Sequence, residues 1–163
     1  MHVTQRPRLT NTAQNRNVML IGLGCDPNAQ DLKQTLADYA VELGHEVKDF
    51  GSDDPLYSNT AVRVAESVVR GDIDRAVVLC GTGIGVSIAS NKVKGAYCAL
   101  VTDAYQAERA QLSNNANMIA LGSQVTGVES AKRILATYLG ATYVESPRSA
   151  PKLAEMYKYE VST

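Results

Sequence analysis

Histidine is scarce in this chain: there are two, His2 and His45, widely separated. The three cysteines, Cys25, Cys80 and Cys98, form neither a CxxC pair nor a Cys/His cluster. No zinc-site or disulfide-framework spacing is present, so the thiols read as reduced and the chain as cytosolic, with no metal expected. Charge of one sign is also lacking, since the net charge is -1 with 20% charged residues. That balance recommends neither nucleic acid nor a membrane surface as a partner. The longest apolar runs, Val18 to Leu23 and Ala76 to Cys80, fall far short of the ~20 residues needed to span a bilayer. No signal-peptide pattern, internal repeat or low-complexity linker is visible. The 163 residues suit one domain with a proper core. Residues 1–16 are polar and aperiodic and read as a disordered leader or tag, with residues 17–163 as a single domain ending in a helical tail.

What is there centres on residues 73–93, IDRAVVLCGTGIGVSIASNKV. Ile73 to Leu79 is apolar without alternation beyond Arg75, the pattern of a strand buried on both faces of a parallel sheet. Cys80 falls at its carboxyl end, and Gly81, Gly83 and Gly85 allow a sharp turn and close approach of amides to a ligand. A helix starting near Val86 would aim its amino terminus at the same point. A cysteine phosphatase needs arginine at the sixth position after its cysteine, which here is Val86, and a P-loop needs a closing Lys-Ser or Lys-Thr where Val86-Ser87 stands. A glycine-rich turn carrying an inert buried cysteine stays open on the residues alone.

Elsewhere the pattern alternates strand and helix. Val18 to Ile21 reads as a first strand with Gly22 to Pro27 as its turn, followed by a helix through Leu32, Leu36, Tyr39, Ala40 and Leu43 that stops at Gly44. His45 to Phe50 is a second strand and Ala61 to Val69 a helix. After the central stretch come a strand at Ala96 to Val101, a helix from Ala104 to Leu112 capped by Asp103, a strand at Asn117 to Leu121, a helix from Val128 to Leu139, and a last helix at Pro151 to Glu160. This order predicts a three-layer α/β/α sandwich with a doubly wound, parallel five-stranded sheet. Ligands of such sheets sit beyond the strands' carboxyl ends, where Asp26, Cys80, Asp103 and Asn114 are expected to gather.

The strings Gly24-Cys25-Asp26, Cys80-Gly81-Thr82-Gly83-Ile84-Gly85, Ser87-Ile88-Ala89, Asn91-Lys92, Asn114 and Gly122-Ser123 with Gly127 together resemble the ribose-5-phosphate isomerase B family and its galactose-6-phosphate isomerase relatives, over about residues 18–145. The resemblance implies a flavodoxin-like fold and an aldose–ketose isomerase for a phosphorylated small sugar, working through an enediolate without cofactor or metal. It implies Cys80 as the base, Thr82 as the group moving a proton between the two oxygens, and the amides of Gly81, Gly83 and Gly85 as the enediolate cradle. It implies Asp26 near the sugar hydroxyls and Asn114 beside the reacting oxygens, although each also reads as a turn or loop cap. Arg148 and Lys152 stand four apart, as do the family's phosphate-binding arginines, and a solvated tail is the competing reading. Arg109 is an alternative source of charge. A homodimer or homotetramer is implied, with the active site at the subunit interface and the Asn114 region facing the other chain's Cys80 loop.

Three positions depart from the family. Pentose-specific members carry histidines where this chain has Pro27 and Ser113, and an arginine where it has Gln124. Neither His2 nor His45 can replace the two histidines, which hold and open the sugar ring, so proton abstraction looks intact and ring opening impaired. A tetrose 4-phosphate cannot close a furanose and needs no such help, which makes erythrose and erythrulose 4-phosphate candidates beside ribose and ribulose 5-phosphate. Two other classes remain. A nucleotide-binding Rossmann-like module would use Gly22-x-Gly24 and Asp49, but Pro27 occupies the third glycine position. A catalytically silent subunit of a hetero-oligomeric isomerase would not need Cys80 and Thr82.

Overall fold

A computed structural model describes residues 18–160; the leader expected at residues 1–16 lies outside them. Five parallel strands, β1 (Leu20–Cys25), β2 (Glu46–Asp49), β3 (Arg75–Cys80), β4 (Cys98–Leu100) and β5 (Met118–Gly122), form one sheet in the order β2-β1-β3-β5-β4. Six helices connect and cover them: α1 (Gln30–Glu42), α2 (Tyr57–Arg70), α3 (Ile84–Ser90), α4 (Ala104–Leu112), α5 (Val128–Gly140) and α6 (Ala150–Tyr157). The sandwich is flavodoxin-like, with β5 between β3 and the edge strand β4.

Alternate side chains of the central strands feed two cores. Val77, Leu79, Ile119 and Leu121 pack with Leu36 of α1, Ala107 and Ala110 of α4, and Ile134, Leu135 and Tyr138 of α5. Ala76, Val78, Cys80, Met118 and Ala120 pack on the other face with Val64, Ala65 and Val68 of α2 and Val86 and Ala89 of α3. Both faces are dry, which is why β3 and β5 show no polar alternation.

The chain leaves β1 for β2 on one side and crosses back to β3 on the other. The crevice at this switch of direction lies between the carboxyl ends of β1 and β3, so Asp26 and Cys80 face each other across it.

The amino-terminal turn expected at Gly22 to Pro27 is instead mostly strand. Gly22 and Gly24 lie inside β1, where a Cβ on Gly22 would stand 2.3 Å from Ile73 and one on Gly24 would stand 2.7 Å from Thr60. These glycines let α2 and the loop after β2 close on the sheet; they do not form a phosphate turn. Asp49 likewise accepts from Lys33 at 2.6 Å and from the Gly51 amide at 2.8 Å, so both parts of the dinucleotide reading are committed to packing. The helix expected to begin near Val86 begins at Ile84, and the one expected from Ala61 begins at Tyr57.

Candidate active site

Cys80 ends β3 and its side chain is 5% exposed, facing the α2 and α3 layer. The Gly83 amide donates to its Sγ at 3.1 Å, a contact that a thiolate accepts more strongly than a thiol. Reaching back this way requires the tight turn that Gly83 makes at φ +78°. A Cβ there would lie 2.7 Å from the Leu121 carbonyl carbon, and one on Gly122 would lie 2.5 Å from that of Thr82. The Cys80 loop and the end of β5 therefore touch backbone to backbone. The Ser123 and Gln124 amides fasten them further by donating to the carbonyls of Cys80 and Gly81, each at 2.9 Å.

Thr82 is exposed on this loop, and its Oγ1 accepts from the Ile84 amide at 3.3 Å, which leaves its own hydroxyl proton for a ligand. Across the crevice Asp26 is 5% exposed. Its carboxylate accepts from the Asn28 amide at 3.0 Å and from Asn28 Nδ2 at 3.2 Å, capping the 3₁₀ turn Pro27–Ala29. The turn-cap reading of Asp26 is thus realised, and the residue also lines the cleft. Ser123 Oγ donates to the Asn28 carbonyl at 3.0 Å and joins the two walls. The resulting cleft, about 440 Å³, is lined by Asp26, Asn28, Tyr57, Cys80, Gly81, Thr82, Gly85 and Gln124, with Ile84 and Ile88 at its rim. Tyr57 lies across Gly85, where a Cβ would stand 2.5 Å from its ring. Neither Tyr57 nor Asn28 stands out in the sequence, because a contact between residues 57 and 85 leaves no local spacing.

Among the described residues no lysine, arginine or histidine lines this cleft. The cations sit elsewhere: Arg109, Arg148 and Lys152 line a second cleft of about 410 Å³ with Tyr105, Leu112, Ser113, Asn114, Ser146 and Ser149. No carboxylate among the described residues lines it. Arg148 lies before α6 and Lys152 within it, joined by a turn in which the Ser146 and Ser149 hydroxyls are 2.8 Å apart. The far end of α6 is held where Glu160 accepts from the Tyr97 hydroxyl and from the Gly95 amide.

The expected gathering of four residues therefore does not occur within one chain. Asn114 follows α4 and precedes β5, so it lies at the amino end of the parallel sheet. Cys80 pairs with Gly122 at the other end. The five residues of β5 separate them by roughly 16 Å. Asn114 is exposed and its Nδ2 donates to the Arg109 carbonyl at 3.1 Å, while Asp103 caps α4 by accepting from the Gln106 amide at 2.7 Å. His45 Nδ1 accepts from the Met19 amide at 3.3 Å, away from both clefts' chemistry.

The other two thiols, Cys25 at the end of β1 and Cys98 at the start of β4, are buried. Burial pushes Cys25 up to about 11, with Lys33 opposing and Asp26 and Asp49 adding to the shift. Burial pushes Cys98 up to about 12, with the nearby Ser90 and Ser87 hydroxyls opposing. Among the described residues no helix is long and apolar enough to cross a membrane.

Residues 21–156 match the ribose/galactose isomerase family. The chain is 42% identical over 147 residues to a D-erythrulose-4-phosphate isomerase of Pectobacterium atrosepticum, covering 88% of this chain and 96% of the relative. It is 41% identical to D-erythrulose-4-phosphate isomerase 2 of Mycolicibacterium smegmatis, over 78% of this chain and 85% of that one. The solved ribose-5-phosphate isomerase B of Clostridium thermocellum superposes with a TM-score of 0.82 at 39% identity, covering 87% of this chain and 97% of its own. With the fold, the cysteine loop and these matches in agreement, the chain belongs to the ribose/galactose isomerase family.

Proposed function

We propose that this protein is a cytosolic aldose–ketose isomerase of a small sugar phosphate, carried by a single domain of residues 17–163, and that its active site is completed by a second copy of the chain. The observation that carries the reading is the division of chemistry between two separate clefts, one beyond the carboxyl ends of β1 and β3 and one along α4 and the turn before α6. Among the described residues, one has a thiol, an exposed hydroxyl and loop amides but no cation, and the other has three cations and no carboxylate. A sugar phosphate needs both. A two-fold pairing that sets each chain's Asn114 region against its partner's Cys80 loop supplies both, twice over, in a dimer or a pair of dimers.

In such a site the Cys80 thiolate removes the proton from the carbon next to the carbonyl. The electron pair moves onto the carbonyl oxygen and gives an enediolate. Amides of Gly81, Gly83 and Gly85 stabilise that charge where it develops. Thr82, whose hydroxyl proton is not used internally, passes a proton between the two oxygens. The Cys80 thiol then returns its proton to the neighbouring carbon and regenerates thiolate. Asp26 and Asn114 of the partner subunit's facing loop hold hydroxyls, while Arg148 and Lys152 take the phosphate.

The substrate we favour is a tetrose phosphate, erythrose 4-phosphate with erythrulose 4-phosphate. Two relatives above are named for erythrulose 4-phosphate. Pro27 and Ser113 also leave the site without the two histidines that the pentose reaction uses to open a ring. Ribose 5-phosphate is the second reading, favoured by the likeness to the Clostridium enzyme. Turnover of both sugars by the purified chain, beside Cys80→Ser, tests the proposal. A fall of at least about a hundredfold in Cys80→Ser on whichever sugar reacts supports the base assignment. Wild-type protein inert on both overturns the isomerase reading and favours a silent subunit.

A further inference from the structure

Arg109 lies near the end of α4, four residues before Ser113. Its Nε and Nη2 donate to Ser113 Oγ at 2.8 and 2.6 Å. Its backbone carbonyl accepts from Asn114 Nδ2 at 3.1 Å, so arginine, serine and asparagine form one closed unit. The nearest carboxylate, Glu108, approaches the guanidinium at 3.7 Å and does not line the cleft. A half-buried guanidinium is thus fixed by two short bonds, with Nη1 and one hydrogen of Nη2 uncommitted to the serine, in a cleft that also holds Arg148 and Lys152. Its hydrogen bonds go to a neutral hydroxyl and its pairing with Glu108 is a loose contact between part-exposed side chains, so most of its charge remains for a ligand.

The geometry points to Arg109 as an additional phosphate ligand, the one that fits the site to a four-carbon sugar. This rests on the isomerase reading for the identity of the sugar, but not for the binding of an anion. On the isomerase reading Asn114 stands beside the reacting oxygens; the Arg109 guanidinium is bonded to its neighbour Ser113, and Asn114 itself bonds the Arg109 backbone carbonyl. Through Ser113 the Arg109 guanidinium stands next to Asn114 and so, on that reading, toward the reacting end of the substrate. Arg148 and Lys152 reach the same cleft from the separate tail segment. A phosphate on the fourth carbon stops short of where one on the fifth carbon reaches, and meets Arg109. Ser113 is small enough to admit the guanidinium at a position where a histidine would fill the space.

Three variants of the full chain test this: Arg109→Ala, Arg109→Gln, which retains a donor for Ser113 without charge, and Arg109→Lys. The readouts are inorganic phosphate affinity by calorimetry and kinetics with erythrose 4-phosphate and ribose 5-phosphate. Arg109→Ala and Arg109→Gln should each weaken phosphate binding about tenfold, the scale of one lost charge-assisted contact, and Arg109→Lys should recover part of it. KM for erythrose 4-phosphate should rise about tenfold with little change in kcat, and KM for ribose 5-phosphate should move less. Unchanged phosphate affinity in Arg109→Gln overturns the anion role. Equal KM increases for the two sugars overturn the chain-length role. If wild-type protein turns over neither sugar yet loses phosphate affinity in Arg109→Gln, the isomerase reading fails and the anion ligand stands.

Discussion

Two glycines a single residue apart in the Cys80 loop should respond to alanine in opposite ways. Gly83 has φ +78°, and a Cβ there meets backbone atoms of Leu121 and Gly122 at 2.7 and 3.0 Å. Backbone of a central strand cannot yield. The left-handed conformation costs about 1–2 kcal/mol and the overlap about 1–3 kcal/mol more. Gly83→Ala should therefore lose about 2–5 kcal/mol, which for a chain of this size lowers Tm by roughly 4–20 °C. Activity should fall as well, since the Gly83 amide is the donor to Cys80 Sγ. Gly85 has an ordinary backbone within α3, and a Cβ there meets only the Tyr57 ring at 2.5 Å, a side chain 42% exposed that can swing aside. Helix propensity then favours alanine by about 1 kcal/mol. Gly85→Ala should keep or raise Tm while increasing KM, because Tyr57 leaves the cleft wall. Thermal melts and steady-state kinetics on both variants decide the matter. A Gly83→Ala protein with wild-type Tm and kcat would refute the reasoning.

Other outcomes follow from groups outside the loop. The Cys25 and Cys98 thiols rise from an ordinary 9.0 to about 11 and about 12 on folding. Their contribution to stability is complete below pH 9 and lost as pH climbs toward 12, so urea midpoints should drop between pH 8 and 10.5, and drop less in a Cys25→Ala/Cys98→Ala protein; parallel curves for the two proteins would contradict this. Lys33 is buried, with its side chain 4% exposed, against Asp49, which is 55% exposed. Asp49→Asn should lower stability by about 2 kcal/mol, between the values for buried and exposed pairs, with kcat unchanged; a denaturation curve overlaying wild type would refute it.

Where residues solve a local problem, the sequence reading and the structure agree closely. Asp103 caps a helix running over Ala104–Leu112, and the apolar run before Cys80 is a doubly buried strand. Pattern and capping chemistry act over a few residues, so they are visible without coordinates. Gly22 and Gly24 show the opposite case. They resemble a turn, but they are glycine because Ile73 and Thr60 arrive from distant parts of the chain. The position of Asn114 fails for a different reason. Expecting it beside Cys80 of the same chain overlooks the polarity of a parallel sheet, in which a helix-to-strand loop lies at the amino ends. That polarity puts Asn114 and Cys80 of one chain in different clefts.

The account stands or falls on whether the two halves of a site come from different subunits. Cys80→Ser and Arg148→Ala/Lys152→Ala proteins should each be nearly inactive, one lacking the base and the other the phosphate cations. When the two are unfolded together in equal amounts and refolded, half the dimers are mixed, and one of the two sites in each mixed dimer carries neither change. Activity on the preferred sugar phosphate should return to about one quarter of wild type. A refolded mixture of verified dimers that stays as inactive as its parents would contradict the shared site.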